Sequence, residues 1–450
     1  MSVAEPPTPG PARSLNRTIA SLALPALATL AADPLVSLVD TFFVGRLGAA
    51  PLAALGVNTA LFSMVFMVFN FLAYGTTPMV GRALGRGDRA AAEAVVAHAF
   101  VLAVGAGALA LLLMQALAVP LLEVMGTAPE LMPDALTYLR VRAFAGPALL
   151  LITAGNGAYR GFLDTRTPLR FALLLNLVNL VLDPLFIFGF GWGLAGAAYA
   201  TLIAQWVGAA AFVLGLVRGP HRVPVPKRLP AWRELAPFLR VGSDMLLRTS
   251  SLVGTLTLAT AIAARVGVVE VAAHQVASQL WLFLSLTIDS LAVAAQALVA
   301  TEAGRGVPGG ARRVADRVIA WGFALGVAQA LLFLLAKPLL VGLFTTDPAV
   351  VAALDSVYLF IVVMQPLNAV VFVLDGVLIG AGDARYLAWA GFAPLAAFAL
   401  LAWWLLAAGV SGAWGLAWLW IAYGGGNMAV RAATLVLRAR GTRWLEVGAG

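Results

Sequence analysis

One offset lays the second half of this 450-residue chain over the first. GRLG at 45–48 answers ARVG at 264–267, and GRG at 85–87 answers GRG at 304–306, each 219 residues further on. Pro129 and Pro147 fall on Pro348 and Pro366; Gly161, Asp164 and Arg166 fall on Gly380, Asp383 and Arg385; Gly193 and Gly196 fall on Gly412 and Gly415. A register kept without a gap over that length calls for two halves of equal architecture. Hydropathy says what each half can be. The chain is 62% hydrophobic and 11% charged, with mean hydropathy +0.94, whereas soluble domains are about half apolar and about a quarter charged. Twelve apolar segments lie near 18–44, 52–80, 93–118, 134–158, 170–190, 194–217, 237–263, 271–300, 315–336, 350–378, 387–408 and 413–437. Each is at least as long as the roughly 20 residues that take a helix across a bilayer. The expected fold is an all-α polytopic membrane protein: twelve transmembrane helices in two six-helix lobes, related by a pseudo-two-fold axis along the membrane normal.

Arginines place the ends. One set of alternate loops holds Arg82, Arg86 and Arg89, then Arg160, Arg166 and Arg170, then Arg218, Arg222, Lys227, Arg228 and Arg233, then Arg305, Arg312, Arg313 and Arg317. Arg385 and the terminal Arg13, Arg17, Arg438, Arg440 and Arg443 fall on the same side. The opposite loops have little beyond Arg46, Arg140, Arg142, Arg265 and Lys337. The positive-inside bias therefore puts both termini in the cytoplasm and accounts for the +8 net charge without nucleic acid. The expected organisation is a disordered tail over 1–17, an N-lobe over 18–217, a basic, proline-containing linker over 218–236, a C-lobe over 237–437 and a tail over 438–450. The first apolar run is too long for a cleaved signal. Cysteine is absent, so disulfides and thiolate metal sites are excluded. The lipid bilayer and a small organic substrate are the expected partners, and the chain is expected to act as a monomer.

The repeat also sorts the polar residues. Those kept in both halves, including Asp164 and Asp383, read as scaffold. Those present in one half only are the functional candidates: Asp40 pairs with Ala259, Asn179 with Phe398, Asp183 with Ala402 and Thr201 with Trp420. A carboxylate near the middle of a membrane helix costs about 2.5–3.5 kcal/mol even on insertion scales, so it is retained for a reason. Asn179 and Asp183 are spaced i, i+4 and share a helix face. Two carboxylates, an amide oxygen and a hydroxyl are hard ligands for a hard cation such as Na+. Two adjacent acids in low dielectric otherwise share a proton. Asp33, seven residues before Asp40, lies on the same face as a second relay or substrate contact. The first apolar segment also carries Pro25 and Pro34, so a bend is expected there.

The C-terminal half has its own charges: Asp244 and Arg248, Asp289 and Asp375. These read as a structural ion-pair cluster, with Arg248 neutralised by Asp244 at i, i+4 or by Asp289 at matching depth. GWGLAG at 191–196 fits a dinucleotide fingerprint but follows no strand. No Walker motif, HExxH, GxSxG or metal-spaced histidine cluster occurs, so neither ATP-driven pumping nor an enzyme is expected, and no cofactor beyond H+ or Na+ as coupling ion.

ADPLVSLVDTFFVGRLG, YRGFLDTRTPLR, NLVNLVLDPLFIFG and GLAGAAYAT resemble the multidrug and toxic-compound extrusion (MATE) family, and DMLLRTSSL and LTIDSLAVAAQALV resemble its DinF-like branch. The resemblance covers about residues 14 to 440 and implies an antiporter of the bacterial cytoplasmic membrane that exchanges H+ or Na+ for organic, cationic compounds. It also implies that Asp40, Asn179 and Asp183 bind the coupling cation, with Thr201 beside them. The glutamate that other branches carry in the seventh helix has no match here. A lipid or polysaccharide-precursor flippase of the same superfamily is the competing reading, and it calls for a wide basic cavity.

The topology is directly testable. A reporter fused after Pro220 is expected in the cytoplasm and one after Pro129 on the opposite side. Both reporters on one side would contradict twelve spans.

Overall fold

Every element assigned among the described residues is a helix. A computed structural model describes residues 12–224, 228–307 and 309–447. Helix α1 spans Ala12–Gly45, α2 Ala49–Gly85, α3 Arg89–Ala116, α5 Arg166–Gly189 and α6 Gly193–Arg218. In the second half α7 spans Trp232–Val266, α8 Val268–Arg305, α9 Gly310–Phe344 and α11 Ala384–Ala407. These nine are long and apolar enough to cross a membrane. Two further spans are bent: α4, Met132–Ala143 with Gly146–Gly161 at 48°, and α10, Pro348–Val363 with Gln365–Gly380 at 56°. The twelfth, α12, runs from Gly412–Trp420 through a π-helical stretch, Ile421–Asn427, into Met428–Arg440.

The bends have a common cause in the repeat. Pro147 and Pro366 each start the second piece of their span, where a missing N–H and a ring clash end the preceding helix. Each packs on a glycine of the preceding helix. A Cβ on Gly107 would lie 2.5 Å from the Pro147 Cα, and one on Gly326 2.7 Å from the Pro366 Cα. The 219-residue match is thus a match of backbone contacts. It extends to turn conformation: Gly87 and Gly306 both take positive φ, at 76° and 65°, closing the GRG turns.

The chain forms two compact units, residues 24–242 and residues 1–23 with 243–450. The divisions fall inside α1 and α7, not in the loops that the sequence suggested. Residues 12–17 of the expected disordered tail are helical, and 1–11 lie outside the described residues. In the expected linker, α6 continues to Arg218 and α7 begins at Trp232, while 225–227 lie outside the described residues. Beyond α12 a short helix occupies Arg443–Val447. Helix α1 passes Pro25 and Pro34 without a break in its assignment.

The duplicated aspartates act as scaffold. Asp164, between α4 and α5, accepts from the backbone N–H of Arg166 and Thr167, each at 3.0 Å, and from the Thr167 hydroxyl at 2.6 Å. His221, just past α6, lies 3.5 Å from the same carboxylate and stacks on Phe162 at 4.4 Å. Asp383 instead takes two bonds from Arg438 near the end of α12, at 2.6 and 3.2 Å. Each half therefore ties its last helix back to the loop between its fourth and fifth spans. Burial on its own raises the Asp164 pKa, but the bonds from His221 and Thr167 outweigh it and hold it at about 2.

That depression sets a pH window. Asp164 stabilises the fold fully above the ordinary carboxyl pKa of about 4, and the contribution fades as pH falls toward 2. Asp164→Asn is expected to lower stability by up to ~2 kcal/mol at neutral pH, at about 1.4 kcal/mol per pKa unit. Melting of the detergent-solubilised proteins checks this: the gap between wild type and variant should narrow as pH approaches 2. An equal gap at pH 7 and pH 2.5 would contradict it.

Candidate functional site

The structure brings together the four polar residues singled out from the N-terminal half. Asn179 and Asp183 sit one turn apart on α5, Thr201 on α6 and Asp40 near the end of α1, all within the 24–242 unit. All are buried, with Asp183 0%, Asn179 1%, Thr201 4% and Asp40 5% exposed. The Asn179 amide Nδ2 lies 3.4 Å from Asp183 Oδ1 and 3.5 Å from Thr201 Oγ1. The Thr201 hydroxyl donates to the Ala197 carbonyl at 3.0 Å, one turn back on its own helix, which leaves its lone pairs for the site. Asp40 is close enough to Asp183 and Asn179 to interact with both.

Three acceptors in this cluster receive no hydrogen bond: Asp40 Oδ1, Asp183 Oδ2 and Asn179 Oδ1. Each unsatisfied buried polar atom costs about 1–3 kcal/mol, and more for a charged group. The two carboxyls interact, and since two carboxylates have no proton to share, a bond between them exists only when one is protonated. The alternative is a cation between them. The donor set suits either: all oxygen, two of the groups anionic, none of them soft. Asp40 and Asp183 would supply the charge for a bound Na+, and Asn179 Oδ1 and Thr201 Oγ1 would complete its neutral ligands.

Two more residues, Tyr138 and Arg142, join the site, and neither is among the candidates drawn from the sequence. Arg142 was counted with the outer loops, but it lies ten residues into the first piece of α4, about 15 Å along the axis. Its guanidinium donates to the Tyr138 hydroxyl, one turn back, and lies 4.9 Å over the Phe62 ring of α2. From there its charge acts on both Asp40 and Asp183. The i, i+4 spacing of Tyr138 and Arg142 was the available signal. Asp33 falls in α1, and its side chain lies outside the described residues.

The equivalent place in the second half is closed. The repeat partners of Asp40, Tyr138, Arg142, Asn179, Asp183 and Thr201 are Ala259, Val357, Ile361, Phe398, Ala402 and Trp420, all apolar and all buried. Phe398 and Trp420 pack edge-on against Tyr423, with ring centroids 5.8 and 5.4 Å apart. One half has the polar cluster and the other an aromatic plug.

Among the C-terminal charges, Asp375 joins two arginines. Arg248 donates to Asp375 Oδ2 at 2.8 Å, and Arg431 of α12 donates to the same oxygen. Arg248 on α7 is thus bridged to α10 as well as placed beside Asp244. Asp289 acts on Arg431 electrostatically, and neither Asp244 nor Asp289 is without a partner. Arg431 was missed because it lies near the basic end of α12, where an arginine looks like a loop residue.

Comparisons with known proteins agree with this architecture. The chain is 38% identical over 397 residues to Protein DETOXIFICATION 44, chloroplastic, of Arabidopsis thaliana, covering 85% of this chain and 75% of that one. It is 27% identical over 384 residues to DNA damage-inducible protein F of Escherichia coli strain K12, covering 82% of each, in accord with the DinF-like branch. Among solved structures, a MATE in the bent conformation has the same fold, with TM-score 0.89 at 23% identity over 97% of each chain. The family model described as MatE matches residues 25–185 and 249–421, which include Asp40, Asn179 and Asp183. The chain therefore belongs to the MATE family of multidrug and toxic-compound efflux transporters.

Proposed function

We propose that the chain is a secondary active antiporter that exports organic, amphipathic cations in exchange for H+ or Na+, with the coupling cation held by Asp40, Asn179, Asp183 and Thr201. The observation that carries this reading is the set of three buried acceptor oxygens without donors, on two acids and an amide. Such a group is stable only with a cation or a proton among them. Its confinement to one half fits a coupling role better than a scaffold role, since scaffold contacts such as Asp164 and Asp383 recur in both.

Exchange requires that cation and substrate favour opposite states of the protein, because a ligand shifts an equilibrium only through differential affinity. With the cation present the acids are neutralised; without it they repel each other. That difference is the free energy available to bias α1, which carries Asp40, against α5. We assign the protein to a bacterial cytoplasmic membrane and to a monomer, and the arginine distribution supports an orientation with both termini inside. The flippase alternative is not favoured. Two of the intramembrane arginines, Arg248 and Arg431, both bond to Asp375 and so do not form a free basic surface.

The test uses purified protein in liposomes, with ethidium as the probe substrate and pH and sodium gradients imposed separately. Asp183→Asn is expected to lose at least tenfold in gradient-driven transport while inserting normally. Asp40→Asn is expected to bind ethidium with little dependence on pH or sodium, yet not to exchange it. Asp164→Asn should mainly lower the yield of folded protein. Normal gradient-driven transport by both site variants would contradict the reading.

A further inference from the structure

The break in α4 opens a groove that the coupling site does not use. It lies among Leu111 of α3, Phe144 and Pro147 of α4, and Ile203, Trp206 and Val207 of α6, all within the 24–242 unit, and measures about 610 Å³. Small-molecule sites occupy roughly 300–1,000 Å³, so the groove has room for a ligand. Its α6 wall runs from Leu202 to Ala210, about 12 Å of helix axis, a shape that suits an extended chain.

Two side chains frame the groove because the bend disturbs the helical ladder. The Phe144 N–H turns to the Val141 carbonyl at 3.2 Å. The Arg140 carbonyl, released from that bond, accepts from the Gln115 amide at 2.8 Å, and the Phe144 carbonyl accepts from the Trp206 indole N–H at 3.1 Å. A backbone group without a partner is strongly disfavoured in hydrocarbon, so both side chains are held at the break. The repeat partners of Gln115, Arg140 and Trp206 are Leu334, Leu359 and Gly425, and a Cβ on Gly425 would lie 3.2 Å from the Phe360 ring. These fixtures belong to one half only.

The surroundings identify the occupant. Trp206 stands midway along the 26 residues of α6 and is 45% exposed, and Phe144 is 52% exposed, so the groove opens to the hydrocarbon. Its lining carries no charge. Arg140 is exposed and stands one turn before Phe144 on α4, whereas Arg142 turns to Phe62. Among the described residues no carboxylate pairs with Arg140. A helical side chain leans toward the N-terminus of its helix, which carries this guanidinium toward the headgroups on the side of the α3–α4 connection. An organic cation would meet no acid here and a repelling arginine. A lipid with an anionic headgroup matches both the apolar groove and the charge above it.

We propose that the groove binds one anionic phospholipid of the surrounding leaflet, with an acyl chain along α6 against Phe144 and Trp206 and the headgroup phosphate on Arg140.

The test titrates purified full-length protein in detergent with phosphatidylglycerol or phosphatidylcholine brominated at mid-chain, which quenches nearby indoles. The chain has 12 tryptophans, so the Trp206 signal is taken as wild type minus Trp206→Phe. Quenching of Trp206 is expected to saturate, with phosphatidylglycerol effective at about fivefold lower concentration than phosphatidylcholine, the weight of one arginine near an anionic lipid. Arg140→Gln should remove that preference. Ala210→Phe, which fills the groove from an exposed position, should abolish saturable quenching by either lipid. Mass spectrometry of the intact complex gives a second count: wild type should retain one phosphatidylglycerol more than Ala210→Phe. The proposal is overturned if the two lipids quench Trp206 equally in wild type, if Arg140→Gln keeps the preference, or if Ala210→Phe retains as many lipids. Displacement of phosphatidylglycerol from Trp206 by ethidium would also overturn it, and would assign the groove to the transported compound.

Discussion

Two acids, Asp40 and Asp183, are buried close enough to interact inside a helical membrane protein, with one guanidinium acting on both. The arrangement cannot be neutral by itself. Water would normally screen such a pair, but these side chains are almost wholly buried, and at low dielectric the repulsion between like charges grows several-fold. The surrounding structure serves to keep the acids together. Asn179 holds Asp183 and Thr201 from one amide, and Phe62 and Tyr138 fix Arg142. The bend of α4 at Phe144–Ala145 follows directly after Arg142, so the proline-induced break ends the helix that presents it.

The duplication clarifies which features serve the fold and which serve the chemistry. Glycine–proline contacts, GRG turns and the loop aspartates recur at the same offset. The polar cluster does not recur. Its counterpart is filled by Phe398 and Trp420, with Tyr423 packed against both. Filling a site with aromatic rings removes both its ligands and its space, so only one half retains the means to hold a cation. The second half has a different charged group, in which Asp375 accepts from Arg248 and Arg431 together. Arginines bound in this way hold α7, α10 and α12 together, and removing one partner from such a buried pair typically costs about 3–5 kcal/mol.

Much of this was legible in the sequence. Each of the twelve apolar segments falls on an observed span, with ends displaced by up to eight residues, because hydropathy marks the part that crosses the bilayer and not the polar turns that extend it. Asp40, Asn179, Asp183 and Thr201 could be found because the repeat supplied an internal comparison and the i, i+4 spacing supplied a shared face. Arg142 and Tyr138 carry the same two signals, apolar repeat partners in Ile361 and Val357 and an i, i+4 spacing, but Arg142 stands among the outer-loop arginines. An arginine near the start of a span reads as a loop residue, and only the packing of α4 beside α2 and α6 shows where its long side chain goes. The bond from Arg248 to Asp375, 127 residues away, is hidden for the same reason, whereas i, i+4 neighbours are visible in a sequence. The unit boundaries inside α1 and α7 were equally hidden, since hydropathy does not change where a continuous helix passes from one unit to the other.

The central claim is that Asp40 and Asp183 do not both remain ionised without a cation between them. Infrared spectroscopy of protein labelled with carbon-13 at aspartate tests it directly, because protonated and ionised carboxyls absorb in separate regions. In sodium-free solution at neutral pH, wild type should show a protonated aspartic acid band that Asp40→Asn/Asp183→Asn lacks. Identical spectra for the two proteins, with no protonated band in either, would show both acids ionised with no cation present and would contradict the account.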